Sequence, residues 1–87
     1  MSQSTSPSVE EGVIAVLKDV SRRPIEPTRE SDLVADLGFD SLQVLETVSA
    51  LEDRFDIAIP MDEVPTIRTV AQVVERVARL VEARPTT

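Results

Sequence analysis

Residues 36–42 read Asp-Leu-Gly-Phe-Asp-Ser-Leu, and the hydroxyl of Ser41 within them is the strongest candidate for a chemical role. A serine becomes a nucleophile when a neighbouring base, most often a histidine, takes its proton, and the chain contains no histidine. The glycine spacing of a nucleophile elbow is also missing, because Gly38 lies three residues before Ser41 and position 43 is not a glycine. We therefore expect Ser41 to be modified rather than catalytic.

The surroundings of Ser41 predict the start of a helix. Asp40 is a favourable N-cap residue, and Gln43 sits three residues further on as the reciprocal partner of a capping box. A serine in this place often serves local capping alone. However, the unpaired N–H groups and the dipole of a helix start also stabilise an attached phosphate. The position therefore favours a phosphate-linked modification of Ser41.

Composition excludes several classes of protein. The 87 residues fit one small domain, and the absence of cysteine rules out disulfides and thiolate zinc sites, so no metal site is expected. A net charge of −7 disfavours binding to nucleic acid, and it favours binding to proteins with a basic surface. Residues 1–7 lack the basic start and apolar run of a signal peptide, and no apolar stretch approaches the roughly 20 residues of a membrane span. We expect a cytoplasmic protein without membrane contact.

A first helix and a long connection occupy the amino-terminal half. The helix is predicted to begin at Ser8, which has capping-box spacing to Glu11, and Pro24 prevents its continuation. The connection at residues 22–39 is pinned by apolar side chains, with one helical turn near residues 31–35. The apolar face of the helix is Val9, Val13, Val16, Leu17 and Val20. The anchors in the connection are Leu33, Val34, Leu37 and Phe39.

Three further helices follow. The second begins after Asp40, a turn at about residues 61–64 is started by Pro60 and bracketed by Pro65, and the last opens at a Thr69–Gln72 capping box. The predicted buried stripe of the second helix is Val44, Leu45, Val48, Leu51 and Phe55, with Leu42 at its edge. The opposite side is Gln43, Glu46, Thr47, Ala50, Asp53 and Arg54. The last helix buries Val70, Val73, Val74, Val77, Leu80 and Val81.

The sequence thus predicts an all-α fold, a small four-helix bundle with three longer helices, a short third helix and a long first loop. We expect residues 1–7 to be a disordered tail, residues 8–84 the domain and residues 85–87 a frayed end.

The negative charge is concentrated around Ser41. Residues 40–63 hold seven acidic residues and one basic residue, Arg54, so −6 of the total −7 lies in this segment. Such a run is usually a solvated surface. Alternatively it steers basic partners toward the site, an effect that weakens as salt is added.

The motif and the residues after it resemble an acyl carrier protein. The shared landmarks are the Asp-Leu-Gly-Phe-Asp-Ser-Leu segment at residues 36–42, Leu45-Glu46, Leu51-Glu52, Phe55, Ile59-Pro60 and Thr69-Val70, and the resemblance covers roughly residues 9–81. It implies the same four-helix bundle and a phosphopantetheine arm on Ser41, transferred from coenzyme A by a phosphopantetheinyl transferase. The terminal thiol of that arm would hold acyl groups as thioesters for separate enzymes. The chain itself would be a non-catalytic carrier.

The resemblance also implies roles for individual residues. Asp40 matches an acid used in recognition by the transferase, and Leu42 matches an exposed apolar contact for partner enzymes. The acidic positions for partner recognition are Glu46, Glu52, Asp53, Asp62 and Glu63. The positions that line the interior, where an acyl chain is sheltered, are Leu51, Phe55, Ile59, Val64 and Ile67; these also have an ordinary role in the core.

Departures from the fatty-acid type bear on the pathway. Gln43, Thr47 and Ser49 stand where that type usually has an acidic or apolar residue, and Phe39 is more familiar from polyketide carriers. We therefore expect a discrete, monomeric carrier of polyketide or fatty-acid-like biosynthesis, served by loading, condensing and modifying enzymes with basic docking surfaces. A peptidyl or aminoacyl carrier of a nonribosomal system is one alternative. An unmodified acidic helical adaptor is another.

Overall fold

The computed structural model describes residues 7–83, which form three α-helices and one short 3₁₀ helix. The predicted all-α bundle with a long first loop and a short third helix is confirmed, and within these residues the one β-bridge joins Asp32 to Thr69. Residues 1–6 of the predicted tail, and residue 84 with the predicted frayed end, lie outside this range. The elements are α1 (Pro7–Val20), α2 (Ser41–Phe55), the 3₁₀ helix (Met61–Thr66) and α3 (Val70–Ala83).

Helix α1 packs its predicted apolar face into the core. It begins at Pro7, one residue earlier than expected, because proline fits the first helical position well; Ser8 therefore lies inside the helix rather than before it. Gly12 is buried against α2, and a Cβ there would lie 2.6 Å from Cζ of Phe55. Glycine thus allows the Phe55 ring to lie close to α1. The buried apolar residues of α1 are Val9, Val13, Val16 and Leu17, with Val20 half-buried.

The connection between α1 and α2 is anchored by three of the four predicted side chains, Leu33, Leu37 and Phe39, all buried. Val34 is a correction, because its side chain is 62% exposed. It lies on the outer side of a turn, along the groove described below.

A helical turn forms in this connection, slightly later than predicted. The N–H groups of Asp36 and Leu37 donate to the carbonyl oxygen of Asp32, and that of Gly38 donates to the carbonyl oxygen of Val34. Oδ1 of Asp32 accepts the N–H groups of Val34 and Ala35 at 2.9 and 2.8 Å, as an N-cap does. This aspartate therefore organises the turn that leads into α2.

Backbone hydrogen bonds join the connection to the start of α3. The N–H of Leu33 donates to the carbonyl oxygen of Arg68 at 2.9 Å, and the N–H of Val70 donates to that of Ser31 at 3.0 Å. Arg29 also forms an ion pair with Glu10 of α1, at 3.0 Å. The long loop is thus held between the first and last helices, and its end is fixed in front of α2.

Helix α2 buries a face that is rotated from the predicted one. Val48 and Leu51 are buried as expected, but Leu45 is 44% exposed, whereas Gln43 and Thr47 are 8% and 3% exposed. The two polar side chains are tolerated because their polar atoms bond within the helix start. Oγ1 of Thr47 donates to the carbonyl oxygen of Gln43 at 2.8 Å, and Oε1 of Gln43 accepts the N–H of Asp40. Val44 and Phe55 are half-buried.

The 3₁₀ helix is weakly tied to the rest of the bundle. Pro60 precedes it without a side-chain cap, and Pro65, which was predicted to bracket the turn, lies inside it. None of its six residues is fully buried. In contrast, α3 opens with the predicted reciprocal hydrogen bonds between Thr69 and Gln72. Its buried residues are Val70, Val73, Val74, Val77 and Ala78, with Leu80 and Val81 half-buried.

Each helix that the structure describes is too short or too polar to cross a membrane.

Candidate functional site

Ser41 is the first residue of α2, and its side chain is exposed. The capping box in front of it is complete. Oδ1 of Asp40 accepts the N–H of Gln43 at 2.8 Å, and Oε1 of Gln43 accepts the N–H of Asp40 at 3.2 Å. Gly38 has a φ of 75°, a conformation that favours glycine and turns the chain toward the helix. These hydrogen bonds and the turn at Gly38 fix the backbone at Ser41, the first residue of α2.

The start of α2 suits a covalently attached phosphate. The first N–H groups of an α-helix have no carbonyl acceptor within the helix. In α2 the Asp40 side chain accepts the N–H of Gln43, and the carbonyl oxygen of Asp40 accepts that of Val44. The N–H groups of Ser41 and Leu42 donate no hydrogen bond within residues 7–83. These two N–H groups and the positive end of the helix dipole lie beside the Ser41 hydroxyl. The residues present therefore fit a phosphodiester on this oxygen.

Beside Ser41 lies an open groove of about 560 Å³, here called the outer groove. One wall belongs to α2, the other to the end of the 3₁₀ helix and the residues after it, and the turn before α2 closes the end. The lining is largely apolar, with Asp32 and Arg68 as its charged members. The lining residues are Asp32, Leu33, Val34, Ser41, Val44, Leu45, Val64, Pro65, Ile67 and Arg68.

A second, narrower and more enclosed space of about 20 Å³, the inner cavity, lies between α2, α3 and the 3₁₀ helix. It has room for about one water-sized group. Four side chains, those of Leu33, Val44, Val64 and Ile67, line both spaces and form a partition between them. The inner cavity is lined by these four and by Thr47, Val48, Leu51, Ile59, Val73, Arg76 and Val77.

The structure brings four of the five predicted interior residues together around the inner cavity. Leu51 and Ile59 are buried, and Val64 and Ile67 are half-buried. Phe55 is separate from them, because its ring lies against Gly12 of α1 and does not line the cavity.

The residues predicted for partner recognition fall into two groups. Asp40, Leu42, Glu46, Asp53 and Asp62 are exposed, and Leu42 is 57% exposed. Glu52 and Glu63 are half-buried and have structural bonds. Oε2 of Glu52 accepts the N–H of Ile59 at 2.8 Å, and Glu63 forms an ion pair with Arg76 of α3. Of the exposed group, Leu42, Glu46 and Asp53 follow one another at helical spacing along α2, the helix that begins at Ser41.

Asp32 is a site residue that the sequence analysis missed. The hydrogen bond from the Ala35 N–H lowers the pKa of its carboxyl below the usual 3.8; desolvation opposes this, and the Val34 N–H and the charge of Arg68 add to it. Nη2 of Arg68 lies 3.8 Å from Oδ2 of Asp32 at the rim of the outer groove. An aspartate directly before a turn, which can accept the N–H two residues on, is the sequence signal that could have identified it.

Thr47 and Arg76, the polar residues of the inner cavity, were also missed. Thr47 was predicted to face solvent, and Arg76 lies between Val73 and Val77 in the α3 sequence without a signal of its own. Its side chain is 27% exposed.

Comparison with known proteins gives consistent matches. The family model described as the phosphopantetheine attachment site matches residues 11–77. The acyl carrier protein of Wolinella succinogenes is 48% identical over 59 residues, which are 68% of this chain and 78% of the relative. That of Amoebophilus asiaticus is 41% identical over 68 residues, 77% of this chain and 85% of the relative.

Solved structures agree. One assigned as an acyl carrier protein of Mycobacterium tuberculosis matches with a TM-score of 0.78 and 39% identity, over 82% of this chain and 96% of that one. A chain in the structure of the ishigamide ketosynthase/chain length factor matches with a TM-score of 0.70 over 88% of this chain and 99% of that one. At 22% identity, this second likeness concerns the fold alone.

Proposed function

The chain belongs to the acyl carrier proteins, which hold a covalently attached phosphopantetheine group, and we propose that Ser41 is the residue to which it is attached. The observation that carries this proposal is the exposed hydroxyl at the first position of α2, next to two backbone N–H groups without partners in residues 7–83. When bound, phosphopantetheine supplies a terminal thiol that holds acyl groups as thioesters.

In this proposal the residues of the chain hold and orient the phosphopantetheine group, and they catalyse no step. Asp40 and Gln43 lock the helix start, so that the Ser41 oxygen keeps one direction relative to the bundle. The N–H groups of Ser41 and Leu42 stabilise the phosphodiester charge. The chain has neither histidine nor cysteine, and no cluster within residues 7–83 could hold a metal ion.

Intact mass measurement tests the attachment. The protein is incubated with coenzyme A and a phosphopantetheinyl transferase of broad specificity. We expect a gain of one phosphopantetheine in the wild type and in Ser49→Ala, an exposed serine of the same helix, and no gain in Ser41→Ala. An unmodified wild type, or a modified Ser41→Ala protein, would refute the proposal.

We further propose that partner enzymes dock on the exposed acidic residues of α2 and the 3₁₀ helix. Glu46 and Asp53 are exposed, and no ion pair involves them in the part of the chain that the structure describes. Glu46→Lys with Asp53→Lys should slow association with the transferase at low salt and less at high salt. Glu75→Lys with Glu82→Lys makes the same charge change on exposed residues of α3, and should have a smaller effect. Equal slowing by both pairs would contradict docking on α2.

We propose polyketide or fatty-acid-like biosynthesis as the pathway, with the protein acting as a monomer in the cytoplasm. Gln43, Thr47 and Ser49 support a specialised pathway, because they stand where carriers of the fatty-acid type usually have an acidic or apolar residue. The intact mass of the protein from its native host would show the load on the arm. An amino acid loaded by an adenylating enzyme would favour a peptidyl carrier instead. Full partner binding by unmodified Ser41→Ala would favour an acidic adaptor.

A further inference from the structure

One basic side chain lies among the acidic residues of α2. Arg54, in the last turn of this helix, is exposed, and it is the single basic residue of segment 40–63. A cation in the last turn of a helix stabilises the carbonyl groups at that end. Any positive charge near the helix end meets this structural need, so the direction in which the side chain extends is a separate observation.

The side chain of Arg54 extends toward α1. Its Nε lies 2.9 Å from the place that a Cβ on Gly12 would occupy. A larger residue at position 12 would therefore displace the arginine, and glycine allows it to lie across the junction of the two helices. Arg54 thus borders the exposed surface of α2 on the side of α1.

The other border of α2 faces the 3₁₀ helix across the outer groove. Asp62 of the 3₁₀ helix is exposed on this side. The arginine that lines the groove, Arg68, lies 3.8 Å from the carboxylate of Asp32 and forms an ion pair with it. The two borders of α2 therefore differ in charge, with an unpaired acid on the 3₁₀ side and a base on the α1 side.

The charge of Arg54 is available to a partner. Among residues 7–83 no ion pair involves it, and the residues three and four positions before it, Leu51 and Ala50, are uncharged. Glu11, next to Gly12 in α1, is exposed as well. Without the arginine, exposed acidic residues would continue from α2 onto α1.

This arrangement discriminates between basic surfaces of different extent. A basic partner is attracted by Glu46, Asp53 and Asp62, and it is repelled by Arg54. Like charges brought together at an interface disfavour the wrong partner or the wrong orientation. A basic surface over α2 and the 3₁₀ helix avoids the arginine, whereas one that continues over α1 must bury it without a counter-ion.

We propose that Arg54 is a specificity-determining residue for partner docking, and that it closes the docking surface on the side of α1. Enzymes whose basic residues lie over α2 and the 3₁₀ helix are accepted, and enzymes whose basic surface continues over α1 are disfavoured. This inference rests on the docking surface proposed above, and it names the kind of partner that the surface fits.

Charge substitutions at Arg54 test the inference on the full chain, with the transferase of broad specificity as the probe. Arg54→Glu should raise kcat/KM for phosphopantetheine transfer about threefold at low salt, because a repulsive charge becomes an attractive one. Arg54→Met should give a smaller gain, and Arg54→Lys none. The gains should lie in KM, leave kcat unchanged and fade at high salt. A weakened helix end would not raise the rate, so the sign of the effect excludes a structural cause.

Controls separate the position of the charge from its amount. Arg79→Glu makes the same charge change on an exposed residue of α3, and should change kcat/KM little. Glu11→Gln should lower kcat/KM when it is combined with Arg54→Glu, and should have no effect beside the native arginine.

Three results would overturn the inference: no gain in Arg54→Glu, an equal gain in Arg79→Glu, or an effect of Glu11→Gln that is independent of residue 54. If Glu46→Lys with Asp53→Lys still slows the transfer in that case, docking on α2 stands without the boundary. A wild type that gains no phosphopantetheine would instead refute the attachment to Ser41, and this inference with it.

Discussion

The two sides of the outer groove are built differently. On one side, the first turn of α2 is fixed by a complete capping box and by the preceding turn, whose Phe39 is 2% exposed. On the other side, the 3₁₀ helix has no side-chain cap, contains Pro65 and buries none of its residues fully. Its main side-chain tie to α3 is the Glu63–Arg76 ion pair.

This difference separates two requirements of a carrier. The attachment point that we propose, Ser41, must keep its position so that partner enzymes meet the same geometry, and the capped start of α2 fits this requirement. The sheltering of cargo that we propose for the inner cavity requires its volume to change, and the 3₁₀ helix is the wall without a fully buried residue. Substitutions on the fixed side should therefore cost global stability, whereas those on the 3₁₀ side should mainly alter local opening.

The largest effect is expected at Phe39, which anchors the fixed side. Phe39→Ala should lower the free energy of unfolding by about 3–5 kcal/mol, because a fully buried ring leaves a cavity. Urea unfolding measures this. Leu42→Ala, three residues away and 57% exposed, is the control and should change little. Similar losses of unfolding free energy in both variants would contradict the anchoring role of Phe39.

The next largest effect is expected at Asp40, the N-cap residue of α2. Asp40→Ala removes the acceptor of the Gln43 N–H and should cost about 1 kcal/mol of unfolding free energy, with faster amide exchange in the first turn of α2. Asp40→Asn retains an acceptor oxygen and should stay close to the wild type. A uniform acceleration of exchange over the whole protein would argue against a local role.

A smaller global effect is expected on the 3₁₀ side. Glu63→Gln should lower the free energy of unfolding by about 0.2–1 kcal/mol, because the ion pair with Arg76 is partly exposed. Amide exchange at residues 61–67 should nevertheless increase several-fold, while exchange at α2 stays unchanged. If α2 and the 3₁₀ helix responded equally, the two sides would form one cooperative unit.

The smallest effect concerns pH and Asp32. Its folded pKa is lowered below 3.8, so the carboxylate stabilises the fold above that pH, and the contribution is lost as the pH falls through the lowered value. The stability difference between the wild type and Asp32→Asn should therefore shrink as the pH is lowered below 3.8. Urea unfolding at a series of pH values measures it. A difference that stays constant over this range would exclude the carboxylate charge as the cause.

Local signals predicted much of the fold. The capping boxes at Asp40–Gln43 and Thr69–Gln72 depend on residues three apart, and both formed as predicted. The apolar faces of α1 and α3 follow a helical period and are buried. Each of these features is determined by neighbours along the chain.

The errors arose where distant segments decide the outcome. Gln43 and Thr47 were predicted to face solvent because they are polar, but α2 is covered on two sides and their polar atoms bond to nearby backbone. Val34 and Leu45 were predicted to be buried because they are apolar, but they border the outer groove. Arg76 became a cavity residue only through the packing of α3 against α2 and the 3₁₀ helix.

The partition of Leu33, Val44, Val64 and Ile67 has a consequence for how such a protein can change over time. Because each of these side chains lines both spaces, a larger residue at any of the four positions would take volume from the outer groove and the inner cavity at once. The surface beside Ser41 and the volume of the inner cavity therefore cannot change independently. A lineage that enlarges or reduces the inner cavity through these positions would also reshape the groove beside Ser41.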